Sequence, residues 1–303
     1  MRQSKPEIGL QILCSLFGVS RQAYYEAEIT ETKTSIAHML VLTLVKELRA
    51  DIPMLGTRKL LYMLMPEFEK HGIKMGRDQL FELLGFYGLL IRRRKRMVKT
   101  TDSHHWLKKY PNLIIGLLLT GAEQLWVSDL TYIRTMDGFS YLSLITDAYS
   151  RKIVGYSLYP TLEAIGCVEA LQMAISERTY KSDFIPIHHS DRGVQYCSSE
   201  YVEMLMKEGI AISMTQSGSP YENALAERVN GIIKNDFFPK IIYQNHQHAK
   251  KAVHKIIKIY NEKRPHLSIN YLTPNQAHLM TGDIKKSWKQ YPYKNKKKEV
   301  AMD

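Results

Sequence analysis

Three carboxylates stand where acidic side chains are costly unless they have a task. Asp129 lies inside the apolar run WVSDLTYI, Asp191 closes the run FIPIHHSD, and Glu227 follows the Gly/Ser/Pro loop QSGSPYE. An aspartate between Val127 and Leu130 in a buried strand must be paired, must cap, or must bind a cation. Carboxylate oxygens are hard ligands that suit Mg²⁺ or Mn²⁺, and two such ions can bridge a phosphate and stabilise its attacking and leaving oxygens. No His/Cys cluster with zinc spacing competes for that role.

The neighbours of these acids extend the pattern. On the helix expected to start near Glu222, the residues Asn223, Glu227, Asn230 and Lys234 recur at i, i+4, i+7 and i+11 and form one polar stripe, with Leu225, Val229 and Ile232 on the opposite face. That arrangement turns Glu227 away from the helix's core contacts and offers Asn223, Asn230 and Lys234 to a phosphate backbone passing the carboxylates. A solvated face with an incidental acid is the plain alternative. His188 and His189 precede Asp191, but adjacent strand residues point to opposite faces, so both cannot join one site. His189 is assigned beside the metal ligands or to a phosphate, and His188 to a partly buried strand position.

The elements that must carry these residues can be read from periodicity. WVSDLTYI, YLSLITDAY and KIVGYSLY are β-rich runs separated by turns at Asp137-Gly138 and Ser150-Arg151, the spacing of an antiparallel meander. A helix over 164–176, the strand FIPIHHSD, a helix over 198–207, the strand AISMTQ and the helix near Glu222 follow. The order βββαβαβα implies an α/β fold with a mixed five-stranded sheet.

The N-terminal third is different. Ile8, Ile12 and Leu16 fall at helical spacing, Gly18 breaks the run and Ser20 can cap a second helix, the outline of a helix-turn-helix. That second helix presents Arg21, Gln22 and Tyr25, types suited to base edges or phosphates, although a plain helical hairpin shares the outline. Helices are expected over 34–50, 57–65 and 77–87, closed by the basic run Arg92, Arg93, Arg94, Lys95 and Arg96. The expected plan is a helix-turn-helix segment over 1–30, a helical DNA-binding domain over 34–96, a basic linker over 97–123, a catalytic core over 124–282 and a Lys-rich, flexible tail over 283–303.

Composition narrows the partner. Lys and Arg outnumber Asp and Glu by 42 to 30 in 303 residues, a formal charge of +12, which favours a polyanion: nucleic acid first, a membrane surface second. The excess is not uniform. Residues 121–230 carry 14 acids and 8 bases, and the segments on either side are basic. Basic flanks can hold a phosphate backbone, while the acidic centre would repel it unless its carboxylates bind a cation. Cys14, Cys167 and Cys197 are scattered and odd in number, which argues against a disulfide framework and for a reducing cytoplasm. The longest apolar stretch, 113–122, is too short to span a bilayer, and the start lacks the apolar run of a signal peptide.

Taken together, these motifs resemble the DDE transposases of the IS3-type insertion sequences, specifically their second-reading-frame product, whose core is similar to retroviral integrases. The resemblance rests on WVSDLTYI (126–133), HHSDRGVQY (188–196), SGSPYENALAERVNGIIKNDF (217–237) and YNEKRPHLSINYLTPNQA (260–277), with thirty-five residues between Asp191 and Glu227. It covers about residues 5 to 280.

The resemblance implies an RNase H-like integrase core behind all-α, helix-turn-helix DNA-binding units. It also implies a catalytic and metal-binding triad of Asp129, Asp191 and Glu227 holding two Mg²⁺ ions, for which Mn²⁺ substitutes. Lys234 resembles the family's end-contacting lysine. Gly193, Gln195 and Tyr196 shape the loop after the second aspartate, and Tyr260, Asn261, Arg264, Pro265 and His266 form the closing segment, from which Arg264 is assigned to DNA. Asp236 stands where relatives often carry glutamate.

The implied activity is binding of terminal inverted repeats, strand cleavage at the element end and transfer of the freed 3′-hydroxyl, with no Ser or Tyr nucleophile. The implied partners are double-stranded DNA of the ends and target, further copies of the chain on paired ends, and the upstream-frame product of the same element. No membrane is expected, and the protein is placed in the bacterial cytoplasm with the nucleoid. An RNase H-like structure-specific nuclease would cleave without joining. A non-catalytic DNA-binding regulator would keep its activity in Glu227→Gln.

Overall fold

The computed structural model describes residues 9–91, 106–179, 184–216, 222–238 and 241–284. The chain divides into two compact units, residues 1–94 and 95–303. Among the described residues no helix is long and apolar enough to cross a membrane. The three cysteines are buried and free.

The first unit is all-helical: α1 (Leu10–Leu16), α2 (Arg21–Asp51), α3 (Thr57–Lys70) and α4 (Arg77–Phe86). The turn between α1 and α2 contains Gly18 at φ +65°, and the Ser20 hydroxyl accepts the Ala23 N–H at 3.0 Å, the cap expected of it. The helix capped by Ser20 and the helix expected over 34–50 are one continuous α2. Nothing between them breaks a helix: the segment has no Gly or Pro, and the Thr30 and Thr32 hydroxyls donate back to the carbonyls of Glu26 and Glu28. Likewise α3 runs through Pro66 to Lys70, because Leu60, Leu64 and Phe68 form one buried stripe that holds the last turn. The basic run Arg92, Arg93 and Arg94 lies outside the described residues, as do 217–221 of the Gly/Ser/Pro loop and the tail beyond 284.

The second unit is built on one five-stranded sheet of order β3-β2-β1-β4-β5. β1 (Leu125–Thr135), β2 (Gly138–Asp147) and β3 (Ile153–Tyr159) form the antiparallel meander, and β4 (Ile187–Ser190) and β5 (Ala211–Met214) add in parallel beside β1. This mixed sheet with helices on its faces is the RNase H-like arrangement. On one face α5 (Ile165–Ser176) and α6 (Ser199–Lys207) pack over Trp126, Ile145 and Val154. The approach of α5 depends on Gly155, where a Cβ would collide with the Ala170 carbonyl.

The other face carries Leu125 and Val127 under Ala226 of α7 (Ala224–Ile232). Residues 106–123, expected as linker, contain no helix or strand but are packed onto the unit. Leu107 and Tyr110 lie on the first face, Ile114, Leu117 and Leu119 on the second, and the Leu113 N–H donates to Ser213 Oγ at 2.9 Å. Their apolar residues follow no period because the segment crosses sheet faces instead of repeating along one. A π-helical turn (Ile233–Phe237), α8 (His246–Lys263) and α9 (Pro274–His278) complete the unit.

Candidate active site

Strand register brings the two aspartates together. In the parallel pair β1–β4, Val127 stands opposite His189, and pairing stops there. Two residues farther along come Asp129, still within β1, and Asp191, just past the end of β4, so the paired ends of the two strands deliver both acids to the same edge of the sheet. Asp191 is the first residue after β4, and the Gly193 N–H donates to its Oδ1 at 3.0 Å.

Glu227 arrives from α7, in whose first turn it lies, and two asparagines of the same stripe hang this helix on β1. Asn223 Nδ2 donates to the Ser128 carbonyl at 2.9 Å, and Asn230 Nδ2 donates to Asp129 Oδ2 at 2.8 Å. The spacing i, i+4, i+7 therefore sets Glu227 between two anchors on the strand that carries Asp129. Its own side chain is exposed.

The electrostatics agree with that placement. Burial pushes the Asp129 carboxyl up to about 7, the Asn230 hydrogen bond opposes the rise, the charge of Asp191 adds to it, the Leu130 N–H opposes it, and the charge of Glu227 adds to it again. Asp129 thus feels both other acids. Among the described residues no three His, Cys, Asp or Glu side chains are drawn into a closed metal cage. Like charges resist closing to ligand distance, an effect that a divalent cation reverses. An all-carboxylate donor set with one acid held up near neutrality by burial and by its anionic neighbours fits a hard dication. Lys234 lies on the π-helical turn, with its ammonium 3.8 Å from the centre of the Tyr132 ring. Burial lowers its pKa while the charge of Asp129 raises it.

Four residues assigned from the sequence to DNA are structural. Asn223 and Asn230 are buried against β1, because the polar stripe faces the sheet instead of solvent. His189 is fully buried with both ring nitrogens engaged, Nδ1 with Ser213 Oγ at 2.8 Å and Nε2 with the Glu222 carbonyl at 3.1 Å, and burial lowers its pKa. It ties β4, β5 and the start of α7 together and has no surface to offer a phosphate. Arg264 is 2% exposed and its guanidinium donates from Nε and Nη2 to Asp236 Oδ2 at 3.0 and 2.6 Å, with Nη1 3.0 Å from His266 Nε2.

His188, expected to be partly buried, is completely so, between Ser128 Oγ at 2.7 Å and the Tyr201 hydroxyl at 2.8 Å. Arg21 and Gln22 are exposed at the start of α2, and Gln22 donates to Glu26 at 2.9 Å.

Two positioning roles are not visible from the sequence. Asn230 orients Asp129, a role signalled only by its place three residues after Glu227. The part-buried Asp236–Arg264 pair fastens the turn bearing Lys234 to the end of α8, across 28 residues. The closing segment is an anchor as well: Tyr260 donates to the Arg151 carbonyl, and the Asn261 amide pairs with both backbone groups of Ile153.

Known proteins resemble this chain in sequence. Two models, each described as an integrase core domain, match residues 120–220 and 208–274. The chain is 33% identical over 267 residues to the insertion element IS600 uncharacterized 31 kDa protein of Shigella sonnei, covering 86% of this chain and 96% of that one. It is 31% identical to the putative transposase for insertion sequence element IS986/IS6110 of Mycobacterium tuberculosis, over 71% and 78% of the two chains. Among solved structures, the HTLV-2 integrase catalytic core domain in complex with magnesium aligns with a TM-score of 0.41 and 21% identity, over 53% of this chain and 98% of that one.

Proposed function

The chain belongs to the IS3-type insertion-sequence transposases with a retroviral-integrase-like core, and from that premise we propose that it binds the terminal inverted repeats of its element and performs Mg²⁺-dependent cleavage and strand transfer through Asp129, Asp191 and Glu227. The observation that carries the reading is the suspension of α7 from β1 by Asn223 and Asn230, which sets Glu227 in the field of Asp129 beside Asp191.

The three carboxylates would hold two Mg²⁺ ions, or Mn²⁺ in their place. When bound, these supply Lewis-acid stabilisation of the attacking and leaving oxygens of a phosphodiester. The residues themselves fix the geometry. The Asn230 amide holds Asp129 Oδ2 and favours the ionised form of that carboxylate, the backbone of Leu130 holds Oδ1, and the Gly193 N–H holds Asp191. Lys234 stands where it can take a non-bridging phosphate oxygen of the strand passing Asp129.

In the first step water adds to phosphorus at the element end and the bond to the 3′-oxygen breaks, leaving a 3′-hydroxyl and a 5′-phosphate. In the second that hydroxyl attacks a target phosphorus in line and displaces the target's own 3′-oxygen. No protein nucleophile takes part.

We assign catalysis to residues 124–282 and end binding to the helical region before residue 97, where Arg21, Gln22 and the run Arg92, Arg93 and Arg94 supply contacts. Joining two ends calls for more than one copy of the chain on paired DNA, working with the nucleoid. The test uses labelled duplexes carrying the element's ends with Mg²⁺ or Mn²⁺. End-specific nicks and joined products are expected from the wild type and neither from Asp129→Asn or Glu227→Gln. Nicking without end preference or joining would instead favour a structure-specific nuclease, and binding without cutting would favour a regulator.

A further inference from the structure

We propose that the tip of the β1–β2 hairpin is a stacking site for an unpaired nucleotide of the DNA end, with Phe139 and Tyr132 as its aromatic floor and Arg134 and Lys234 as its cations. The proposal rests on the transposase reading for its choice of nucleic acid, and on four side chains outside the carboxylate cluster for its site. Strand register places Tyr132 opposite Tyr141 and Arg134 opposite Phe139, so the four project from one face of the hairpin. The Tyr132 and Phe139 rings meet edge to face, centroids 5.1 Å apart and planes at 78°. Lys234 Nζ lies 3.8 Å from the centre of the first ring, and the Arg134 guanidinium carbon 5.8 Å from the centre of the second.

Cross-strand aromatic pairs are common hairpin packing. Two cations gathered on such a pair, one from the hairpin and one from a separate element, are not explained by packing. Phe139 remains 46% exposed at the tip, so the fold leaves much of this side chain in solvent. Aromatic faces bordered by Lys and Arg are the recognition chemistry of single-stranded nucleic acid, because every base has a π-face and its backbone needs a cation. Paired bases inside a duplex cannot cover such a floor, so the occupant is an unpaired base.

The place and the stiffness of the patch fit that occupant. Tyr132 is three strand residues from Asp129, about 10 Å along β1 and on the alternate face of the strand, and Lys234 links the two, in the field of Asp129 while resting on Tyr132. A strand that leaves the carboxylates and follows Lys234 past the edge of β1, where pairing with β4 has ended, brings its next nucleotide or two to the rings. The hairpin is also held firmly. The Met136 N–H donates to the Tyr243 carbonyl at 2.8 Å, the Tyr243 N–H donates to the Arg134 carbonyl at 3.2 Å, and Ser140 Oγ lies 3.0 Å from His246 Nδ1. A floor fixed before binding loses little entropy when a base settles on it.

The experiment measures binding of full-length protein, in EDTA, to end duplexes that carry 2-aminopurine at the terminus, either fully paired or with the last two positions mismatched. Wild type, Phe139→Ala, Phe139→Leu and Phe139→Trp are compared, each checked for folding by circular dichroism. Leucine keeps the apolar bulk of the tip without a π-face, so it separates stacking from folding. The expected result is about tenfold tighter binding of the mismatched end by the wild type, with quenching of the probe, a preference kept by tryptophan and abolished by leucine and alanine.

A preference unchanged in Phe139→Leu, or none in the wild type, would overturn the proposal. Mg²⁺-dependent end cleavage by the same wild-type preparation keeps the two readings apart. If cleavage is absent while the Phe139-dependent preference persists, the transposase reading falls and the stacking site stands; cleavage with a preference indifferent to Phe139 has the opposite meaning.

Discussion

Replacing Asn230 by leucine, a side chain of similar size, removes the hydrogen bond to Asp129 Oδ2 and little else. The acceptor Oδ1 of Asn230 is buried without a hydrogen-bond partner, so deleting the amide also deletes an unsatisfied group, and the melting temperature is expected to hold. The effect falls on Asp129. A hydrogen bond to a charged group contributes about 1.5–3 kcal/mol, which at about 1.4 kcal/mol per unit lifts the carboxyl one to two units above its starting value of about 7.

At pH 7.5 the Asp129 carboxyl is then about three-quarters ionised in the wild type and about a quarter or less in Asn230→Leu. Ligation of a dication needs the ionised form. In end-cleavage assays the acidic limb of the pH–rate profile is expected to move up by one to two units, and the Mg²⁺ concentration for half-maximal rate at pH 7.5 to rise roughly three- to thirty-fold. An unmoved acidic limb and an unchanged Mg²⁺ requirement would refute the assignment of Asn230 as the residue that holds Asp129.

Asp129 itself gives a stability prediction. Because its folded pKa of about 7 lies above the unfolded value, its contribution is full below about pH 4 and is lost as pH rises through 7. Denaturant melts without added metal should therefore lose up to about 4 kcal/mol across that window, and Asp129→Asn should flatten the curve. Arg264→Ala leaves the partly buried Asp236 without its partner and should cost about 1.5–3 kcal/mol in chemical denaturation, with part recovered by adding Asp236→Asn; unchanged stability with weakened DNA affinity would restore Arg264 to the DNA surface. Lys234→Ala should weaken binding of all end sequences alike and reduce the slope of log affinity against log salt by about 0.9. A sequence-selective loss would mean that Lys234 reads bases.

The strand-borne acids are legible in the sequence because burying an Asp among Val and Leu is costly unless it binds a cation or a partner, and alternation with turn residues marks the meander that carries them. Helical period, by contrast, says which residues share a face and not which way that face turns. Asn223, Glu227 and Asn230 do share one, yet the helix buries Ala226, Val229 and Ile233 together with both asparagines, so the polar stripe is an anchoring surface. Arg264 is misleading in sequence because its carboxylate partner is 28 residues away, and long charged side chains are normally exposed. His189 looks available beside Asp191 because nothing local shows that Ser213 and the Glu222 carbonyl close over it. The continuity of α2 follows from the absence of any Gly or Pro between residues 27 and 34, with the hydroxyls of Thr30 and Thr32 satisfied on their own helix instead of capping a new one.

That Asp129, Asp191 and Glu227 act as one metal-binding unit is tested most directly by anomalous diffraction from crystals grown with Mn²⁺. Density at the Asp129 and Asp191 carboxylates that is lost in Asp129→Asn is the expected result. Manganese bound elsewhere, or none at these carboxylates at concentrations that support end cleavage, would contradict it.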